Sequence, residues 1–388
     1  MTTKLYNLNA YDTTFSATVL AVTEKDGAYH VVLDRTLFFP EAGGQSCDRG
    51  VLGGIPVSAV TLWDDGTVAH ILPRPLAVGD SVEGQIDFAF RFRNMQHHTG
   101  EHILSGLAHT MYGFENVGFH LSENGMTLDF DRPLPGDDFY PLEQAANEAV
   151  VKNLPVTAFF PTDAEAKALV YRSKKEIDGA LRLVKIEGID LCACCAPHVK
   201  QTGEVGVIKV LSYVHHKGGC RLTVTAGLDA YRDYKQKADA IDRISRLLSV
   251  PTDRVPLGVS ALNDECARLR SLLFHRENAW AIAVADGLMP TDGNRVTCLS
   301  DCDARLLREI AVRDKEKVGG VTAVLSFDEE KQSYRYAIAS NSVALSSAAR
   351  EMNTALSGRG GGNDGLLQGN FAASLDEIRA YFSHFGQD

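Results

Sequence analysis

Several features are missing from this sequence. The opening MTTKLYNLNAYDTTF contains no apolar segment, so no secretory signal is expected. No apolar run approaches the roughly 18 residues a membrane-spanning helix needs, so no membrane segment is expected. Positive charge is in deficit. Lys and Arg number 39 against 50 Asp and Glu, a formal net charge of −11. That excludes a generally basic nucleic-acid coat protein but leaves room for a local basic groove. Internal repeats and low-complexity tracts are also lacking. What remains is 388 residues, 45% hydrophobic and 23% charged, the profile of a soluble globular chain with material for two to three domains. Eight cysteines without a secretion signal point to a reducing, cytoplasmic setting. There thiols serve as metal ligands, redox groups or core residues rather than disulfides. Three of them crowd together at Cys192, Cys194 and Cys195.

The pattern along the chain is that of a multidomain α+β protein. Residues 1–90 carry β-branched runs, such as 19–22, 30–33 and 57–60, between turn signals, and predict a small β-barrel. The texture changes near Asp87. Residues 91–227 predict an α+β domain: a helix over 91–112, a hairpin turning at Asn124-Gly125, helices at 139–153 and 163–171, and paired strands at 205–213 and 221–225. Residues 228–285 read as two charged helices broken near Pro251 and Pro256, a spacer or dimerisation element. Residues 286–388 predict a small α/β domain: a helix at 303–317, strands at 321–327 and 334–339, a helix at 341–356, a Gly-rich turn and a final helix at 374–382.

The chemistry concentrates in two short motifs. His98 and His102 are four apart on a predicted helix, so both imidazoles project from one face. Cys194 and His198 form a CxxxH in a loop. Thiolate and imidazole together suit tetrahedral zinc. Two donors from a helix and two from a distant loop make a metal-site signal, with one zinc per chain. A closed four-ligand site would be structural; a catalytic one keeps a position open. A redox role for the cysteine cluster is the competing reading.

These motifs resemble a known family. HHTGEHILSG followed by CCAPHVKQTGEVG is similar to the HxxxH and CxxxH motifs of the editing domain shared by alanyl- and threonyl-tRNA synthetases. Residues 35–50, RTLFFPEAGGQSCDRG, resemble a Gly-rich segment of the alanyl type, and 358–369, GRGGGNDGLLQG, resemble that synthetase's C-terminal domain. No counterpart of the ATP-dependent catalytic domain precedes residue 1, so a free-standing protein is expected, similar to the long form of the AlaX family. The resemblance implies a synthetase-type editing domain at 91–227 and a tRNA-binding domain at 286–388. It also implies zinc-dependent deacylation of Ser-tRNA(Ala) or Gly-tRNA(Ala) in trans, without aminoacylation activity. The alternative is a non-catalytic zinc-containing tRNA-binding protein. Thr36 and Gln45 match positions associated with seryl recognition, and Gly43 and Gly44 would let backbone approach the substrate. Pro197 stands where the family usually has Thr and removes a donor near His198. His120 is a candidate pocket residue. For tRNA contact the candidates are Lys217, Arg221, Arg359, Gly360 and Gly361, and a homodimer through 228–388 is one expectation.

Overall fold

The computed structural model describes residues 2–122, 125–173 and 181–386. The chain divides into two compact units, Met1–Arg243 and Ile244–Asp388.

The first unit begins with a seven-stranded antiparallel sheet. Its order is Ile55–Pro56, Gly50–Leu52, Ser81–Ile86, Thr14–Lys25, Ala28–Leu33, Val68–Leu72 and Ala59–Leu62. The twelve-residue strand Thr14–Lys25 serves two neighbours. Its first half pairs with Ser81–Ile86 and its second with Ala28–Leu33, with a register shift between Val19 and Ala21 that bends the sheet. Val19, Leu33, Leu52, Val60 and Leu72 fill its interior. The hydrogen-bonded order has two ends, and no pairing among the described residues joins them.

Asp87 ends this segment and starts the next. Its carboxylate accepts from Phe90 N, capping helix α1 (Phe88–Tyr112), which stops at Gly113 in the left-handed region. α1 and helix α2 (Tyr140–Val151) pack beside a four-stranded sheet, ordered Asn116–Ser122, Gly125–Phe130, Gly219–Ala226 and Ile208–His216. Asn124, half of the expected hairpin turn, lies outside the described residues. Helix α3 (Asp163–Ala168) is shorter than the expected 163–171, because Leu169 leaves helical φ/ψ after a single capping-box turn. A three-stranded sheet of Val156–Phe159, Leu183–Ile186 and Asp190–Ala193 carries the chain to the cysteine loop. These short strands lack the length that makes a periodic signal, and the sequence pattern did not reveal them. Helix α4 (Leu228–Leu248) follows.

In the second unit, helix α5 (Val255–Gly287) leads to a five-stranded sheet. Its order is Arg295–Leu299, Val321–Asp328, Ser333–Ser340, Leu366–Phe371 and Gly358–Asn363. Alternation along Val321–Asp328 sorts the core. Val321, Ala323 and Leu325 face helices α7 (Leu345–Ala355) and α8 (Leu375–His384), whereas Val324 faces helix α6 (Ala304–Asp314) and the end of α5. The Gly-rich stretch expected to be a turn is the edge strand Gly358–Asn363. Its glycines serve contact rather than turning: a Cβ on Gly360 would lie 2.2 Å from the Tyr336 hydroxyl. No helix among the described residues is long and apolar enough to cross a membrane.

Candidate metal centre

α1 brings His98 and His102 to one buried face, one turn apart, as 3.6-residue periodicity requires. The loop after Asp190–Ala193 brings Cys194 and His198 against them. It is held there by Arg182, whose Nη1 donates to the carbonyls of Cys194 (2.8 Å) and Ala196 (2.9 Å). One ligand atom from each of His98, His102, Cys194 and His198 lies within 4.8 Å of all the others. Cys194 Sγ is 3.5 Å from His98 Nε2 and 3.3 Å from His198 Nε2.

The outer nitrogens decide which atoms face inward. His98 Nδ1 lies 2.8 Å from Gln45 Oε1, His102 Nδ1 2.9 Å from Asp190 Oδ2, and His198 Nδ1 3.0 Å from Thr99 Oγ1. With each Nδ1–H donated outward, all three Nε2 lone pairs point at the thiolate, which is how ligating histidines are held. Three imidazoles and one thiolate, buried and mutually crowded, fit a tetrahedral zinc ion in both donor type and number.

The electrostatics of the metal-free cluster point the same way. Burial pushes the Cys194 thiol up, but the imidazoles of His98 and His198 outweigh it and hold it well below the ordinary value. Burial pushes His198 down to about 3, against the opposing pull of Cys194. His102 is disfavoured as a cation by burial, yet its bonds to Asp190 and Cys194 raise it well above 6.5. The thiolate of Cys194 and the neutral imidazole of His198 are in the state a metal ion requires, whereas His102 would release its Nε2 proton on binding one.

A second group, His102, Asp190 and Cys192, also lies close together. It is a support for the first rather than another centre. Arg172 Nε and Nη2 bind Asp190 Oδ1 and Oδ2 at 2.8 and 2.9 Å, and His102 Nδ1 takes the remaining direction.

The Gly-rich segment lies against this cluster. Gly43 and Gly44, at φ +62° and +80°, form the two central residues of a tight turn closed by Ala42 and Gln45. A Cβ on Gly44 would lie 2.5 Å from Phe119 O, and Leu121 N donates to Gly44 O at 2.9 Å. The turn is thereby fixed on the strand Asn116–Ser122. Gln45 is fully buried, and its Nε2 has no hydrogen-bond partner among the described residues. Thr36 is elsewhere engaged. Its hydroxyl meets His70 Nε2 at 2.8 Å and accepts from Phe38 N at 3.0 Å. His120 is exposed. The alternation of the strand turns its neighbour Phe119 toward His98 instead, ring centroids 4.7 Å apart. The proline at 197 leaves His198 supported, because Thr99 Oγ1 holds both its Nδ1 and Val199 N.

Of the tRNA-contact candidates, Lys217 is exposed at a hairpin tip. Arg221 is held by Asp129 through two bonds of 2.6 and 2.7 Å. Arg359, Gly360 and Gly361 are exposed on the edge strand. Spacing could not have announced Asp190, Thr99, Arg172, Arg182 or Phe119. Asp190 lies 88 residues from His102 and meets it only in the folded chain.

Residues 181–227, which contain Cys194 and His198, match the family described as the threonyl and alanyl tRNA synthetase second additional domain. The alanyl-tRNA editing protein AlaX-L of Pyrococcus horikoshii is 26% identical over 97% of this chain and 96% of its own length. The chain is similar to alanyl-tRNA editing proteins over nearly its whole length. The alanyl-tRNA editing protein Aarsd1 of Danio rerio is 28% identical over 89% of this chain and 85% of its own length. The likeness extends to alanine–tRNA ligases, such as that of Natronomonas pharaonis, 35% identical over 66% of this chain but only 29% of the ligase. The editing proteins therefore match nearly end to end, whereas the chain spans between 29% and 41% of the ligases' length. The C-Ala domain of Aquifex aeolicus alanyl-tRNA synthetase aligns with 24% of this chain and 90% of its own at 19% identity and a TM-score of 0.20, a level that assigns no fold.

Proposed function

We propose that this protein is a trans-acting deacylase that hydrolyses the ester joining serine, or glycine, to tRNA(Ala), with one zinc held by His98, His102, Cys194 and His198. It acts in the cytoplasm on tRNA already charged. The observation that carries this reading is the buried four-donor cluster, with every histidine Nδ1 engaged from behind.

When bound, zinc would supply Lewis acidity toward an ester carbonyl or a nearby water if it took a fifth ligand or released one of the four side chains. The chain supplies selection and exclusion. Gln45 Oε1 orients His98, which leaves Nε2 of the same carboxamide as a buried donor awaiting an acceptor. A seryl hydroxyl offers one; an alanyl methyl does not, and a site built around a hydroxyl rejects the analogue lacking it by roughly 10⁴–10⁵. Thr36 is a second candidate for this pocket. Its own proton is committed to His70 when His70 Nδ1 donates to Val31 O, so it would serve a substrate hydroxyl as acceptor. Gly43 and Gly44 would let backbone approach the aminoacyl group. Lys217, Arg221 and Arg359, with the backbone at Gly360 and Gly361, would meet phosphates.

The test presents Ser-tRNA(Ala), Gly-tRNA(Ala) and Ala-tRNA(Ala) to the wild type and to His102→Ala, with zinc content measured alongside. Release of serine or glycine, sparing of alanine, and joint loss of metal and activity in the variant are the expected results. Survival of all three esters with zinc bound would favour a tRNA-binding protein with a structural metal.

A further inference from the structure

We propose that Asp190, held by Arg172, is the positioning residue that fixes His102 in its ligating orientation and, as a carboxylate acceptor on Nδ1, makes its Nε2 a stronger metal ligand. The inference rests on the zinc reading above.

The three Nδ1 partners are not equivalent. Gln45 and Thr99 are neutral acceptors and can only orient their rings. Asp190 is a carboxylate with its side chain 1% exposed, and a charged acceptor behind an imidazole raises the ring's basicity as a ligand as well as fixing its tautomer. Such a charge cannot stand alone in the interior. The Arg172 fork neutralises it and occupies both oxygens, so the carboxylate neither swings away nor competes as a direct ligand. Arg172 is itself tied down through its main chain. Its N–H donates to Leu191 O, and its carbonyl accepts from Ala193 N, both at 2.9 Å.

The sequence of α1 makes room for this arrangement. Gly106 follows His102 by four residues on the same helix face. A Cβ there would lie 2.6 Å from Ile189 O and 2.8 Å from Asp190 Cβ. The missing side chain lets the strand Asp190–Ala193 approach close enough for Asp190 to reach His102.

The experiment measures zinc dissociation constants by chelator competition, and the absorption spectrum of the cobalt(II)-substituted full chain, for the wild type and Asp190→Asn. Asn keeps an acceptor oxygen but loses the charge. The expected result is zinc bound 10- to 100-fold more weakly, with a changed cobalt spectrum. Should Arg172, left without its partner, prevent folding of that variant, Asp190→Asn/Arg172→Met removes both buried charges and should show the same weakening. A folded variant that binds zinc within about threefold of the wild type overturns the proposal. A wild type that takes up no metal overturns the zinc reading and this proposal with it. Tight binding by wild type and variants alike overturns this proposal alone.

Discussion

At the scale of single residues, burial decides what a histidine does. His70 is fully buried in an edge-to-face contact with the ring of Phe38, with Nδ1 3.0 Å from Val31 O and Nε2 2.8 Å from Thr36 Oγ1. Burial pushes it down to about 4, and the Val31 carbonyl recovers only part of that shift. In the unfolded chain the ring takes up a proton near the ordinary value of about 6.5. Below that pH the unfolded state gains protons that the native state refuses. The stability contribution is thus complete above about 6.5 and is lost as pH falls toward 4, by ~3 kcal/mol in all. Urea midpoints at pH 7 and pH 5 should differ less for His70→Gln than for the wild type, and parallel losses in both would sink the idea. The clustering of His98, His102 and His198 was legible for a different reason. Spacing of four on one helix, and of four within one loop, is local information that survives without a fold. Their partners Asp190, Thr99 and Gln45 were either invisible or given another role, because each contact joins residues far apart in the chain or on opposite sides of a turn whose pairing the sequence does not state.

At the scale of elements, α1 is the beam on which the site is hung, and a buried ion pair docks the Gly-rich segment to it. Arg91, two turns before His98, donates to both oxygens of Asp48, with Nε to Oδ1 at 2.8 Å, and reaches the carbonyls of Leu37 and Ala10. Both side chains are fully buried. Removing one partner leaves the other charge uncompensated, so Asp48→Ala is expected to cost about 3–5 kcal/mol by chemical denaturation. Asp48→Leu combined with Arg91→Met should recover part of that loss; equal losses in single and double variants would show that the pair itself is not what matters. No local motif announces this pairing, because Asp48 and Arg91 lie 43 residues apart. Amphipathic helices were readable to within a few residues, because a long periodic stripe averages out local noise. Short strands and the glycine edge strand were not. Composition alone assigns Gly358–Asn363 to a loop, and only the pairing of Gly360 opposite Gly369, with the Tyr336 hydroxyl close to both, explains glycines in a ladder. Arg221 shows the same limit. Its pairing with Asp129 follows from the register of two strands about ninety residues apart, not from any motif.

At the scale of the molecule, the candidate metal cluster and every side chain that braces it belong to Met1–Arg243, and none belongs to Ile244–Asp388. Binding energy acts only on the unit whose native state holds the ligand. At a free metal concentration 1,000 times the dissociation constant it amounts to about 4 kcal/mol. For a unit of this size each kcal/mol moves the midpoint by roughly 2–4 °C, so chelation should lower one unfolding transition by about 10 °C. The transition of the second unit, whose core is built from its own sheet and helices α5 to α8, should stay where it is. Scanning calorimetry of the full chain with and without chelator separates the cases. Two transitions, one of which moves, is the expected result. A single transition that moves as a whole would mean that the units unfold as one cooperative body, so that the metal in the first unit also stabilises the helices and sheet of the second.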